Sequence, residues 1–325
     1  MKAIVYREYG PPLEVMKVEE IERPVPKDNE VLVRVHTASV NPVDSHIMTM
    51  AIARVVIGAQ KPGTPGRDFS GVVESVGKSV TRFKPGDAVF GGCPKAFAEY
   101  ACAEESKIAH KPSGVTFEQA ASLPVAGVTA LQALRDKGKV KAGQKVLVVG
   151  ASGGVGTFAV QLARHFGANV TGVCSTRNVE MVRGIGADRV IDYTTEDFTR
   201  AGDKFDLIID LAGNRKISEY RSVLQPNGTY VGAGGLGADF SYPGLIAGLL
   251  GQLIIKPFIG QKIVSFMTRV NADDLTELAG LVDAGMIKPV IDRRYPLSEA
   301  ANAVQYVSEK RASGKVVIEI GKDEG

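Results

Sequence analysis

Thiols, imidazoles and long apolar runs are scarce in this 325-residue chain, and each scarcity removes a class of function. Three cysteines, Cys93, Cys102 and Cys174, are odd in number and far apart, which excludes a disulfide framework and points to a reducing cytosol. Four histidines, His36, His46, His110 and His165, form no group with metal-ligand spacing. An excess of one charge is missing too: 39 basic against 36 acidic residues, interspersed, leave no basic stripe for nucleic acid. One notably apolar uncharged run, residues 240–255, has 16 residues and contains Pro243 and several glycines. It falls short of the roughly 20 residues of a membrane-crossing helix. It reads instead as a lid or a subunit contact in a homodimer, with peripheral membrane contact as the alternative. The opening residues MKAIVYREYG lack the apolar core of a signal peptide and the bias of a transit peptide, so a cytoplasmic location is expected.

What is present divides into two characters. Residues 1–122 are rich in short strands and turns. Val31, Val33 and Val35 alternate along 30–40 as in a half-buried strand, 69–77 forms a second, and Pro85-Gly86 makes a turn before a third. A segment over 97–105 is again extended. At Thr116 the pattern changes: Thr116 with Gln119 three residues on is a capping box, and helical stretches follow at 120–124 and 129–138. From Lys145 strands (145–150, 169–174, 189–192, 205–210, 228–232, 262–267) alternate with helices (154–166, 178–185, 216–224). That is the signature of a parallel sheet covered on both faces. After a helix at 272–284 the tail returns to strand character, ending in a strand at 315–320. The fold class is therefore α/β. A β-rich domain, 1–122, is completed by 288–325, and a doubly wound domain, 123–287, is inserted in it.

The strand KVLVVG runs into GASGGVG (150–156) and out along a helix. In that βαβ setting the turn is a pyrophosphate cradle, with Ser152, Gly153, Gly154 and Val155 offering their backbone. Gly156 allows the helix to pack close to the strand. A tight turn with packing glycines and no ligand is the bland alternative. At the end of the second strand, where an NAD site would carry Asp or Glu, this chain has Ser175, Thr176 and Arg177. Hydroxyls and a guanidinium suit a 2′-phosphate, so the cofactor is read as NADPH.

Six stretches carry a resemblance: NPVDSHIM (41–48), PGRDFSGVVESVG (65–77), RFKPGDAVFG (82–91), AASLPVAGVTALQAL (120–134), GASGGVG and CSTRN (174–178). Together they resemble the zinc-free quinone oxidoreductase branch of the medium-chain dehydrogenase/reductase superfamily, over nearly the whole chain. The resemblance implies a GroES-like catalytic domain with an inserted Rossmann domain. It implies hydride transfer from NADPH to a quinone or to the C=C bond of an α,β-unsaturated carbonyl. It places Asn41 and Asp44 by the nicotinamide and acceptor, with turn-shaping and structural roles as their alternatives. It assigns Thr129, Tyr193, Asn214, Gly232 and Lys315 to cofactor contacts; for Tyr193 a packed ring at a strand end is the alternative. Zinc-dependent relatives carry a Cys within the segment here reading ASVNPVDSH and a His where Gly66, Arg67 and Asp68 stand, so no metal site is expected. A second reading stays open, an NADPH-binding protein with little turnover, of crystallin-like or redox-sensing type.

Overall fold

A computed structural model describes residues 1–49, 62–233 and 260–321. The apolar run 240–255 lies outside the described residues. The chain forms two compact units, Met1–Val128 with Arg269–Gly325, and Thr129–Thr268.

In the first unit a short antiparallel pair, β1 (Lys2–Val5) and β2 (Lys17–Glu20), precedes the long β3 (Glu30–Val40). Antiparallel partners follow: β4 (Asp68–Val76), β5 (Ala88–Gly92), β6 (Tyr100–Glu104) and β7 (Ile108–His110). The expected Pro85-Gly86 turn is present, with Gly86 at φ +92°. The Thr116 capping box forms as well: Thr116 Oγ1 accepts from Gln119 N–H, and Gln119 Oε1 accepts from Thr116 N–H. Two helices of this unit, Pro42–Thr49 and Ala300–Ser308, have no counterpart in the sequence reading. The first was signalled by Asn-Pro-x-Asp, an N-cap type, proline at the first helical position and an acid in the first turn.

The second unit carries six strands, β8 (Lys145–Val149), β9 (Asn169–Cys174), β10 (Arg189–Asp192), β11 (Phe205–Asp210), β12 (Leu224–Ala233) and β13 (Lys262–Phe266). Every pairing between them is parallel, in the spatial order β10-β9-β8-β11-β12-β13. Counted within the unit that order is 3-2-1-4-5-6, with its switch point between β8 and β11. Fully buried Leu147, Val149, Ile208 and Tyr220 help form its core. The helical stretch expected at 129–138 starts earlier, at Pro124, and widens into a π-helical turn over Gln132–Gly138.

The chain then returns to the first unit through β14 (Ile291–Pro296) and β15 (Lys315–Glu319). Here β15 pairs antiparallel with β3, Val316 facing Val40, and parallel with β14. Val316, Ile318, Ala303 and Val304 share one core with Val31, Val33, Phe69 and Phe97. The helix Ala272–Asp283, which the sequence reading assigns to the inserted domain, belongs to the first unit. Its Leu278 lies against Gly127, and the Asp283 carboxylate accepts from the Ser113 and Gly114 amides. Those contacts join residues roughly 150 to 170 positions apart, so local sequence pattern carries no sign of them.

Candidate active site

The glycine turn leaves β8 at Gly150, whose φ of +82° is a left-handed conformation that favours glycine. The helix Gly154–His165 follows, and its first backbone bond runs from Thr157 N–H to Gly153 O at 2.9 Å. The amides of Gly154, Val155 and Gly156 therefore precede the helix ladder, and the first turn holds neither an acid nor a side-chain cap. Two glycines here do different work. A Cβ on Gly156 would lie 2.1 Å from Gly150 O, so Gly156 lets the helix close on the strand end. A Cβ on Gly153 would meet nothing nearer than 3.5 Å. The protein leaves that space open, and it is the cradle a phosphate needs.

Beside it, one buried amide organises two hydroxyls. Asn178 Nδ2 donates to Ser152 Oγ at 3.1 Å and to Ser175 Oγ at 3.2 Å. Each serine oxygen thus accepts from inside, and its own O–H is left to donate outward, the polarity an anion requires. Thr176 Oγ1 lies 2.8 Å from Thr194 Oγ1, which ties this turn to the end of β10. Exposed Arg177 sits on the same turn, and no carboxylate occupies the Ser175 position. Tyr193 follows β10 with 59% of its surface exposed, a ring open to a stacking partner rather than packed in the core. Asn214 is exposed beyond β11, after Gly213 at φ +59°. Gly232 is buried in β12, and Thr129 Oγ1 lies 2.6 Å from Thr268 Oγ1. Ser152, Gly153, Gly154, Val155, Ser175 and Arg177 thus gather at the strand ends of one unit, whereas Lys315 belongs to the other.

In the first unit the structure assembles a buried polar cluster around Asp68. Its carboxylate accepts from Ser39 Oγ (3.1 Å), Asn41 Nδ2 (2.9 Å) and the Val125 amide (3.1 Å), with Lys315 Nζ at 3.5 Å. Lys315, 3% exposed, also donates to Asn41 Oδ1 at 2.8 Å and Val40 O at 3.1 Å. All three of its protons have acceptors inside the unit, an arrangement that leaves none for the cofactor contact that the resemblance implies. Burial pushes the Asp68 carboxyl up and the Lys315 ammonium down, while their attraction and the hydrogen bonds pull each back. With this many donors on Asp68, the ionised pair is the form the geometry favours.

Asn41 starts the helix Pro42–Thr49, and Asp44 Oδ2 accepts from the Asn41 amide at 2.8 Å. Asp44 thereby caps the helix and releases the Asn41 side chain to the cluster. Burial raises the Asp44 carboxyl to about 7, against the opposing pull of the Asn41 amide and the Arg67 charge. Asp44 also lines a recess of this unit with Tyr6, Ile47, Thr64, Arg67 and Lys95. Sequence reasoning missed Ser39, Asp68 and Asn178 as site-builders. It named Arg67 and Asp68 only as places lacking a histidine.

The remaining candidates for chemistry fall away. Burial pushes all three thiols up, Cys102 and Cys174 to about 11, so none is a thiolate nucleophile at neutral pH. His36 stacks on Phe117 with ring centres 4.2 Å apart. Among the described residues no three His, Cys, Asp or Glu side chains form a metal-sized group. The donor set around Asp68 does not fit zinc: an ammonium and an amide stand where thiolate and imidazole would be needed.

A dinucleotide cradle at a 3-2-1-4-5-6 switch point, and a companion unit built on a mostly antiparallel sheet, define the class of two-domain nicotinamide-type oxidoreductases. Residues 27–131 match the model of the alcohol dehydrogenase GroES-like domain, and residues 185–318 that of a zinc-binding dehydrogenase. The chain is 35% identical to a chloroplast envelope quinone oxidoreductase homolog of Arabidopsis thaliana, covering 98% of both chains. It is also 35% identical to an NADPH-dependent alkenal/one oxidoreductase, chloroplastic, of the same plant, covering 98% of this chain and 79% of the other. A solved quinone oxidoreductase from Coxiella burnetii superposes with a TM-score of 0.87 at 32% identity, covering 99% of each chain. The chain belongs to the medium-chain dehydrogenase/reductase family, in its quinone oxidoreductase-like branch.

Proposed function

We propose that this protein is an NADPH-dependent reductase that delivers hydride, without zinc, to quinones or to the C=C bond of α,β-unsaturated carbonyls. The observation that carries this reading is the anion cradle. Open amides at Gly154 and Val155, outward-donating Ser152 and Ser175, and Arg177 all face the demands of a pyrophosphate and a 2′-phosphate. Bound NADPH supplies the hydride and its two electrons. The chain's own residues hold the cofactor, exclude water and manage one proton. Asp44 keeps its proton up to about pH 7, and Oδ2 is engaged by the Asn41 amide, so Oδ1 is the atom placed to pass that proton to an enolate or quinolate oxygen. Asn41 has one amide proton on Asp68 and a second to offer an acceptor carbonyl. Lys315 acts through Asn41 by fixing its Oδ1.

A panel of quinones, 2-alkenals and enones, followed by NADPH oxidation in single turnovers, tests this. Turnover with at least one class is expected. Tight NADPH binding with no oxidation by any of them would instead favour the non-catalytic binder. Replacing Arg177 by Ala should raise the Kd for NADPH by about 10-fold or more while leaving NADH less affected. An unchanged preference for NADPH would refute the 2′-phosphate assignment.

A further inference from the structure

In the first unit the segment Pro65–Arg67 is clamped to the turn 93–97. The Cys93 amide donates to Arg67 O at 2.9 Å, Ala96 to Gly66 O at 3.3 Å and Phe97 to Pro65 O at 3.1 Å. Gly66 at φ +97° allows no side chain, since a Cβ would lie 2.4 Å from the Phe97 ring. The two rims that carry Arg67 and Lys95 are therefore fixed to one another. Strand alternation turns Asp68 into the buried cluster and its neighbour Arg67 the opposite way, to the recess. There the Arg67 Nε is buried with no hydrogen-bond partner, an expensive state for a guanidinium. Lys95 holds a left-handed backbone (φ +68°) at a turn position where glycine would be the easier residue. Among the described residues no carboxylate forms an ion pair with either cation. The carboxyl that shares the recess, Asp44, is held protonated by burial below about pH 7, against the pull of the Arg67 charge. Of the other walls, Ile47, Pro65 and Pro94 are apolar, while Thr64 and Tyr6 carry hydroxyls.

We propose that this recess is an anion-selective acceptor site: Arg67 and Lys95 grip a carboxylate or sulfonate borne by a flat, unsaturated acceptor whose body lies against Ile47 and the prolines. The substrate class is then acid-bearing enones or quinones rather than neutral ones. This rests on the reductase reading for the word acceptor; the binding itself does not.

The test uses a matched pair of probes, 1,2-naphthoquinone-4-sulfonate and neutral 1,2-naphthoquinone. Their Kd values are measured by calorimetry on the cofactor-free protein, and kcat/KM is then measured with NADPH. The sulfonate should bind about 10- to 100-fold more tightly, the range of a charge-assisted hydrogen bond. That ratio should collapse in Arg67→Met, persist in part in Arg67→Lys, shrink in Lys95→Met and weaken as salt is raised. If Arg67→Met does not fold, judged by its melting curve, the Arg67→Lys and Lys95→Met ratios decide. Equal affinity of the native protein for both probes, or a ratio untouched by every substitution, overturns the proposal. Preferential binding without NADPH oxidation by this pair or by any member of the wider panel would sink the reductase reading and leave this one standing. Turnover of both probes with equal affinity would do the reverse.

Discussion

Asp44 shows how a sequence motif can single out a side chain while saying nothing of its ionisation state. Its position beside Asn41 was legible from NPVDSHIM, but its ionisation was not, because burial comes from residues distant in sequence. The folded protein holds a proton on Asp44 up to about 7, whereas the ordinary carboxyl value is 3.8. Between those two values the unfolded chain has released a proton that the folded chain keeps. The contribution of this group to stability is therefore greatest below 3.8, falls as pH rises towards 7 and is level above it. Asp44→Asn retains an acceptor for the Asn41 amide and removes the titration. Its melting temperature relative to the native protein should climb across that window and then plateau. A difference independent of pH, measured by differential scanning calorimetry, would remove burial as the source of the shift. A reductase using Asp44 as acid would also lose kcat in this variant, most at pH values below 7.

At the scale of elements, the glycine turn was the most legible feature because every interaction that shapes it is local. Strand, turn and helix lie within 21 residues, Lys145 to His165, and the role given to Gly156 matches the 2.1 Å approach to Gly150 O. The two glycines make a paired prediction. Gly156→Ala should destabilise the fold by at least about 1–3 kcal/mol, since neither backbone segment can yield without moving β8 or the helix. Gly153→Ala should melt like the native protein and raise the Kd for NADPH by about 10-fold, because its methyl group enters only the phosphate space. Chemical denaturation and cofactor titration on both variants separate the effects. A Gly153→Ala protein with native affinity would argue that no phosphate sits there. The helices Pro42–Thr49 and Ala300–Ser308 were less legible, since short helices in a strand-rich context present too few turns for periodicity to register.

For the molecule as a whole, the least legible part was the cluster that joins its two ends. Lys315 reaches Asn41 across 274 positions and Asp68 across 247, so neither spacing nor pattern reveals the contact. Removing one partner leaves a buried charge uncompensated: Lys315→Met should cost about 3–5 kcal/mol in urea unfolding. The double variant Lys315→Met with Asp68→Asn should recover part of that loss. Losses that simply add would mean the two residues do not act as a pair.

The split of the first unit bears on how the protein is born. As the chain leaves the ribosome, β8 to β13 emerge in one continuous stretch and have every strand of their sheet at hand. The earlier sheet must wait with the Thr37–Val40 end of β3 unpaired on the side that β6 shares, until β15 arrives more than 270 residues after β3 was made. Through that interval β3 presents an open strand edge, a template for wrong partners that a finished molecule never shows. Synthesis thus completes the glycine turn and its sheet before Lys315 can close the buried cluster around Asp68.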